Sequence, residues 1–192
     1  MNYSLKETKK GIDLEFITED GVFSPRNIDK GTLAMLELVD FDHEDKVLDL
    51  GCGYGVVGVL AAKFISPERI YMIDNSDIAI RLSKDNIILN KVSGVKILKS
   101  DGLKELNEND FTKILSNPPY HTDFSVAKEF IEKGFNRLKI GGKMYMVTKR
   151  DLWYRKKFIS IFGGVNVYNR DGYFIFVSEK RDKVYANIKK KV

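Results

Sequence analysis

Between Gly11 and Ser24 the apolar side chains of Ile12, Leu14 and Phe16 fall on every second position, the period of a half-buried strand, and Asp20-Gly21 marks a turn. From Asp29 to Phe41 the spacing of Leu33, Leu36 and Val39 is helical, with Asp29 placed to cap the helix. Short apolar runs and helical patterns then alternate. Strands are predicted over 46–50 (KVLDL), 69–73 (RIYMI), 95–98 (VKIL), 111–116 (FTKILS) and 143–148 (KMYMVT). Helices are predicted over 54–64, 76–90, 123–138 and about 151–162, the second with Ser76 as cap. Such alternation implies an α/β fold, a parallel sheet with helices on both faces. The last two runs, VNVY and YFIFV, join at Asn169 to Gly172 and read as a hairpin, so the sheet ends antiparallel.

No repeat, low-complexity tract or long linker interrupts this pattern, and the 192 residues are read as one domain, 1–192, with an N-terminal strand and helix (1–40) ahead of a core (45–192). The longest clearly apolar stretch, 56–62, is far short of the roughly 20 residues that span a bilayer. The first ten residues are polar, with Lys6, Lys9 and Lys10, unlike a signal peptide. A cytoplasmic protein is expected. One cysteine, Cys52, excludes an internal disulfide, and with only His43 and His121 beside it no zinc cluster is recognisable, so no metal is expected. The formal net charge of +5 favours a polyanionic partner. Lys149, Arg150, Arg155, Lys156 and Lys157 gather after one strand, and Lys189, Lys190 and Lys191 form a terminal run.

Three acids stand at successive strand ends. In VLDLGCGYG a strand ending at Leu50 is followed by Gly51, Gly53 and Gly55, which let a backbone approach a ligand closely. The spacing is Gly-x-Gly-x-Gly after Asp49, whereas the dinucleotide fingerprint would need glycine where Val56 stands. A carboxylate at this tip suits a cationic ligand group, such as an amino-acid ammonium. Asp74, at the end of the next strand, is placed to take two ribose hydroxyls, and Asp101 with Gly102 to accept from an adenine amino group. Taken singly, the glycine turn also reads as a tight turn with no ligand, and Asp74 as a helix cap. Jointly, and without a phosphate-binding lysine, they describe a nucleoside carrying an amino acid, as in S-adenosylmethionine, better than NAD or ATP.

VLDLGCGYG, the acid after the second strand, SDG at 100–102 and NPPY at 117–120 resemble the class I S-adenosylmethionine-dependent methyltransferases over about residues 45–150. GVFSPRNIDKGT (21–32), His121 and the closing FGG…YFIFVSEK extend the resemblance to the methyltransferase small-domain family, which includes the catalytic half of bacterial ribosomal RNA guanine-N2 methyltransferases. This resemblance implies a Rossmann-like, doubly wound, mostly parallel seven-stranded sheet with an antiparallel C-terminal hairpin strand and a short N-terminal extension laid over the cofactor. It also implies an enzyme that binds S-adenosyl-L-methionine through Asp49, Gly51, Cys52, Gly53, Gly55, Asp74, Asn75, Asp101, Gly102 and Asn117, with Phe23, Asp29, Gly31 and Thr32 lining the pocket. Cys52 fits as a small packing residue, not a nucleophile. RNA, ribosomal above all, is the implied partner, and a homodimer is expected because related enzymes carry a second, duplicated domain.

The catalytic residues implied are Asn117, Pro118, Pro119 and Tyr120. An exocyclic amino nitrogen is a poor nucleophile, and two acceptors that engage its hydrogens, the Asn117 side-chain oxygen and the Pro118 carbonyl, aim its lone pair. The prolines stiffen this shelf and offer no competing N–H. Tyr120 supplies a face on which the base stacks. The tyrosine also resembles adenine-N6 and protein glutamine methyltransferases, which remain alternatives to guanine N2, as does a non-catalytic RNA-binding module. Trp153 and Tyr154 either clamp RNA or turn inward from a helix with solvated lysines.

Overall fold

The computed structural model describes residues 1–119 and 124–189. Strand β3 (Val47–Leu50) is buried at all four positions and β4 (Ile70–Asp74) at four of five, as expected of parallel strands covered on both faces. With β5 (Lys96–Lys99), β6 (Phe111–Ser116), β7 (Leu138–Thr148), β8 (Asn166–Arg170) and β9 (Tyr173–Glu179) they form one seven-stranded sheet in the order β5-β4-β3-β6-β7-β9-β8. The pairs from β5 through β7 are parallel and those to β9 and β8 antiparallel, the Rossmann-like arrangement anticipated. Edge strand β5 is mostly exposed and opens and closes on lysine, a charged edge that discourages pairing with other chains.

The register positions the site. Leu50 of β3 lies opposite both Ile73 of β4 and Ser116 of β6. The residues that follow these strands therefore share one rim. The chain leaves β3 for β4 on one side and reaches β6 on the other, so this rim is the switch point where open α/β sheets bind ligands.

Helices α1 (Lys30–Glu37), α2 (Val56–Ala61) and α3 (Asp77–Leu89) build one core and α4 (Ser125–Arg137) and α5 (Leu152–Phe162) the other; a short α6 (Ala186–Lys189) follows β9. Tyr154, predicted as either an RNA clamp or an inward residue, is buried and stacks on Phe176 with ring centroids 5.7 Å apart. Trp153 is half-buried and stacks on Phe124 at 4.3 Å. Part of the basic cluster is matched within the protein, Arg155 by Asp151 and Lys157 by Glu132.

Three element readings need correction. The first ten residues contain a strand, β1 (Asn2–Lys9), paired antiparallel with β2 (Ile12–Glu19). Its polar composition conceals it, because β1 is an outer ribbon strand with no fully buried position. Lys10 and Gly11 turn the hairpin with φ of 52° and 75°, the two left-handed conformations of a tight hairpin turn. Strand β7 begins at Leu138, five residues before the predicted start, since α4 runs directly into it. Helix α2 is shorter than its predicted span of 54–64.

The hairpin is held on α3 by a side-chain ladder. The Ile17 N–H donates to Asn86 Oδ1 (2.7 Å) and Asn86 Nδ2 donates to the Ile17 carbonyl (2.9 Å). One turn later Asn90 repeats the pair with Glu15, at 3.2 and 2.6 Å. Two asparagines four apart thus stand in for a neighbouring strand, satisfying an edge that Phe16, with no exposed surface, draws against the core. This contact fixes the segment after β2 above the rim.

Candidate active site

A cavity of about 330 Å³ opens at the rim, between the carboxyl ends of β3, β4 and β6, segment 21–32 and α4. Its size lies within the roughly 300–1,000 Å³ usual for small-ligand pockets. The glycine turn after β3 requires φ of 77°, 55° and 98° at Gly51, Gly53 and Gly55, which side-chain-bearing residues rarely adopt. Of the predicted site residues, Phe23, Thr32, Asp49, Gly51, Cys52, Gly53, Asp74, Asn75, Asp101, Gly102, Asn117, Pro118 and Pro119 all line this cavity. Gly55 does not; it starts α2, and an added Cβ there would lie 2.7 Å from the Met72 methyl. Tyr120 and His121 lie outside the described residues.

The three acids differ in environment. Asp49 is 2% exposed, and its Oδ2 accepts from the Gly58 N–H at 3.0 Å. Burial pushes its carboxyl up to about 7; the Gly58 N–H opposes this and the charge of Asp74 adds to it. Asp74 accepts from the Gly53 N–H through Oδ2 and from the Ser76 N–H through Oδ1, both at 2.9 Å, so it braces the glycine turn against the start of α3. Asp101 stands exposed at the mouth, ion-paired with Lys104. The lysine beside it holds its carboxyl below the usual carboxylate range. Burial raises the Cys52 thiol well above its ordinary value, and its Sγ lies 3.5 Å from Ser83 Oγ, which suits a packing residue.

Asn117 follows β6 directly, and its amide nitrogen donates to Asp29 Oδ1 (2.8 Å) and Thr32 Oγ1 (2.9 Å). Its Oδ1 is buried and has no hydrogen-bond partner among the described residues. Pro118 beside it is buried and Pro119 exposed. Asp29 also accepts from the Thr32 N–H (3.0 Å), capping α1, and from the Tyr173 hydroxyl (3.1 Å) at the start of β9. Tyr173 reaches Asp29 across Gly31, where an added Cβ would lie 2.6 Å from Tyr173 Cε1.

Sequence reasoning missed Val126, Glu129 and Phe130 of α4, which wall the cavity beside Gly102. Their helical spacing is that of core positions, and nothing local marks them as facing a ligand. Tyr173 was missed because it acts across 144 residues. Among the described residues no cluster of histidine, cysteine and carboxylate side chains is arranged to hold a metal, and no helix is long and apolar enough to cross a membrane.

Residues 13–178 match the family described as methyltransferase small domain. The protein YbxB of Bacillus subtilis (strain 168) is 30% identical over 174 residues, covering 88% of this chain and 87% of YbxB. The ribosomal RNA small subunit methyltransferase C of Pseudomonas putida (strain W619) is 32% identical over 146 residues, 74% of this chain and 44% of that protein. The ribosomal RNA large subunit methyltransferase G of Yersinia enterocolitica (serotype O:8 / biotype 1B) is 33% identical over 149 residues, 74% of this chain and 38% of that protein. This chain therefore spans less than half of either ribosomal RNA methyltransferase. Among solved structures, the T. thermophilus 16S rRNA N2 G1207 methyltransferase in complex with AdoMet and guanosine superposes with a TM-score of 0.86 at 24% identity, over 94% of this chain and 51% of that one. That likeness is one of fold.

Proposed function

The chain belongs to the methyltransferase small domain family, and on that premise we propose that it transfers a methyl group from S-adenosylmethionine to an exocyclic amino nitrogen of a base in ribosomal RNA, with guanine N2 the favoured target. The observation that carries this reading is the orphaned Asn117 Oδ1. A buried acceptor without a donor is unfavourable by about 1–3 kcal/mol, and at Asn117, which lines the cavity and has none among the described residues, a ligand's donor would relieve that cost. An amino group supplies it.

The donor set around the cavity fits the cofactor. Asp49 is the buried carboxylate that would meet the ammonium of the methionine portion, the turn from Gly51 to Gly53 would pass its backbone close to it, and Asp74 would accept from ribose hydroxyls on the lone pairs that Gly53 and Ser76 leave free. Asp101 and Gly102 stand where they would border the adenine, with Phe130 of α4 as an apolar wall. When bound, the cofactor contributes an activated methyl carbon on sulfur. The protein's share is geometric. Asn117 Oδ1 and the Pro118 carbonyl engage the two amino hydrogens of the base, which leaves the nitrogen lone pair to point at that carbon. Pro118 offers no N–H that would compete, and its burial holds the shelf rigid. The nitrogen becomes acidic as it gains the methyl group, so water takes the proton and no strong base is required.

Ribosomal RNA as substrate is supported by the names of the relatives and by the +5 charge. Guanine N2 is favoured because the solved structure of like fold described above is that of a 16S rRNA N2 G1207 methyltransferase in complex with guanosine. Incubation with labelled S-adenosylmethionine and ribosomal RNA from cells lacking the gene is expected to place label in N2-methylguanosine. Asn117→Ala is expected to lower transfer at least ~100-fold, the loss seen when a transition-state hydrogen-bond partner is removed, with cofactor affinity nearly intact. A fully active Asn117→Ala enzyme would overturn the shelf, and label confined to protein would overturn the RNA target.

A further inference from the structure

An asparagine side chain can present either of its ends to a ligand. With oxygen outward it receives an amino group; with nitrogen outward it would instead favour a carbonyl or a ring nitrogen. At Asn117 the surroundings choose. The partner at 2.8 Å is a carboxylate oxygen of Asp29, which has no hydrogen to give. The partner at 2.9 Å is the Thr32 hydroxyl, which accepts from Asn117 and has Asp29 Oδ1 3.5 Å away as an acceptor for its own hydrogen. Both hydrogens of the Asn117 amide are thus consumed by acceptors. A reversed amide would set its oxygen against the Asp29 carboxylate and lose that bond, and the Thr32 hydroxyl would have to turn from Asp29 to donate to it.

Asp29 is itself held from three sides. It caps α1 through the Thr32 N–H, it receives the Tyr173 hydroxyl on Oδ2, and Gly31 leaves the space in which the Tyr173 ring lies. We propose that Asp29, braced by Tyr173 and assisted by Thr32, is the positioning residue that locks the Asn117 amide with its nitrogen on Asp29 and Thr32, leaving its buried oxygen to be the end that meets a ligand, and so makes the site select groups that carry NH2. This inference rests on the methyltransferase reading for its consequence in catalysis, but the lock itself is a property of the free protein.

Two substitutions separate positioning from folding. Asp29→Ser keeps a good cap for α1 and is too short to reach Asn117. Asp29→Asn keeps an acceptor oxygen where Oδ1 stands, and the Tyr173 hydroxyl can accept from its amide. Hydrogen bonds to a charged group are typically worth about 10- to 100-fold in an equilibrium. Asp29→Ser is therefore expected to lower kcat on undermethylated ribosomal RNA by ~10- to 100-fold while the protein stays folded at the assay temperature and cofactor affinity falls by much less than kcat, and Asp29→Asn to recover most of the loss in kcat. In parallel, the side-chain amide protons of Asn117, assigned by their absence in Asn117→Ala, are expected to exchange slowly with solvent in the wild type and Asp29→Asn and rapidly in Asp29→Ser.

Wild-type kcat together with slow exchange in Asp29→Ser overturns the lock. So does an Asp29→Asn enzyme as impaired as Asp29→Ser while folded, or a loss in Asp29→Ser matched by an equal loss of cofactor binding. If the wild-type protein methylates no ribosomal RNA, the functional reading falls, and the exchange rates alone then support or overturn the lock.

Discussion

Replacing Asp49 by asparagine tests whether the cavity keeps a carboxylate at the expense of stability. The side chain is 2% exposed, and its hydrogen bond within the chain comes from the Gly58 N–H, which an asparagine oxygen would also accept. Its carboxyl is raised from 3.8 in the unfolded chain to about 7 in the fold. The folded state therefore binds the proton more tightly. As pH rises from about 4 the unfolded chain ionises first and stability declines, until above about 7 both states are ionised and the penalty is constant. At about 1.36 kcal/mol for each pH unit this amounts to ~4 kcal/mol at pH 8, and the difference between pH 5 and pH 8 is ~2–3 kcal/mol. Asparagine does not titrate. In thermal unfolding of the ligand-free proteins the stability of Asp49→Asn relative to wild type should grow by that amount from pH 5 to pH 8, or ~5–10 °C for a chain of this size. Cofactor affinity should move oppositely: in the wild type it should strengthen as pH rises through 7 and supplies the ionised partner for an ammonium, and in the variant it should be weak and flat. Parallel melting curves for the two proteins across this range would refute the burial argument; equal cofactor affinity would refute the assignment of the ammonium.

Two further substitutions probe the scaffold. Asn86→Ala removes the partners of the Ile17 N–H and carbonyl and of the Tyr54 carbonyl; it should lower urea-unfolding stability by ~2–4 kcal/mol and speed amide exchange at Ile17, and a loss below ~0.5 kcal/mol would show that the hairpin does not depend on the ladder. Gly58→Ala places a methyl group 2.5 Å from the Met72 Cγ, and Met72 has no exposed surface; overpacking of ~1–3 kcal/mol should lower the melting temperature by several degrees, and replacing Met72 by valine in the same chain should restore it.

The central strands were legible because burial on both faces leaves a short, continuous apolar run, as in VLDL at 47–50, and the helices between them because their apolar residues recur at helical spacing. Strand β1 was not, since an outer ribbon strand has little to bury and is held by backbone pairing with β2, which leaves no mark on composition. Phe130 reads as core in any helix, and only the docking of α4 over the rim makes it a cavity wall.

The amino-acid sequence alone determined the alternation of strands and helices in the central sheet and which strand-end residues meet at the rim. In a parallel sheet the carboxyl ends of neighbouring strands must coincide, so residues at or just past those ends, such as Asp49, Asp74 and Asn117, converge wherever the intervening helices lie. Tertiary structure alone decided how each side chain is used. It buried Asp49, turned Tyr154 into the core, and set Asp29 and Thr32 against the Asn117 amide nitrogen, with Tyr173 on Asp29. Those outcomes depend on distances of 3 Å between residues as many as 144 positions apart, which no local pattern encodes.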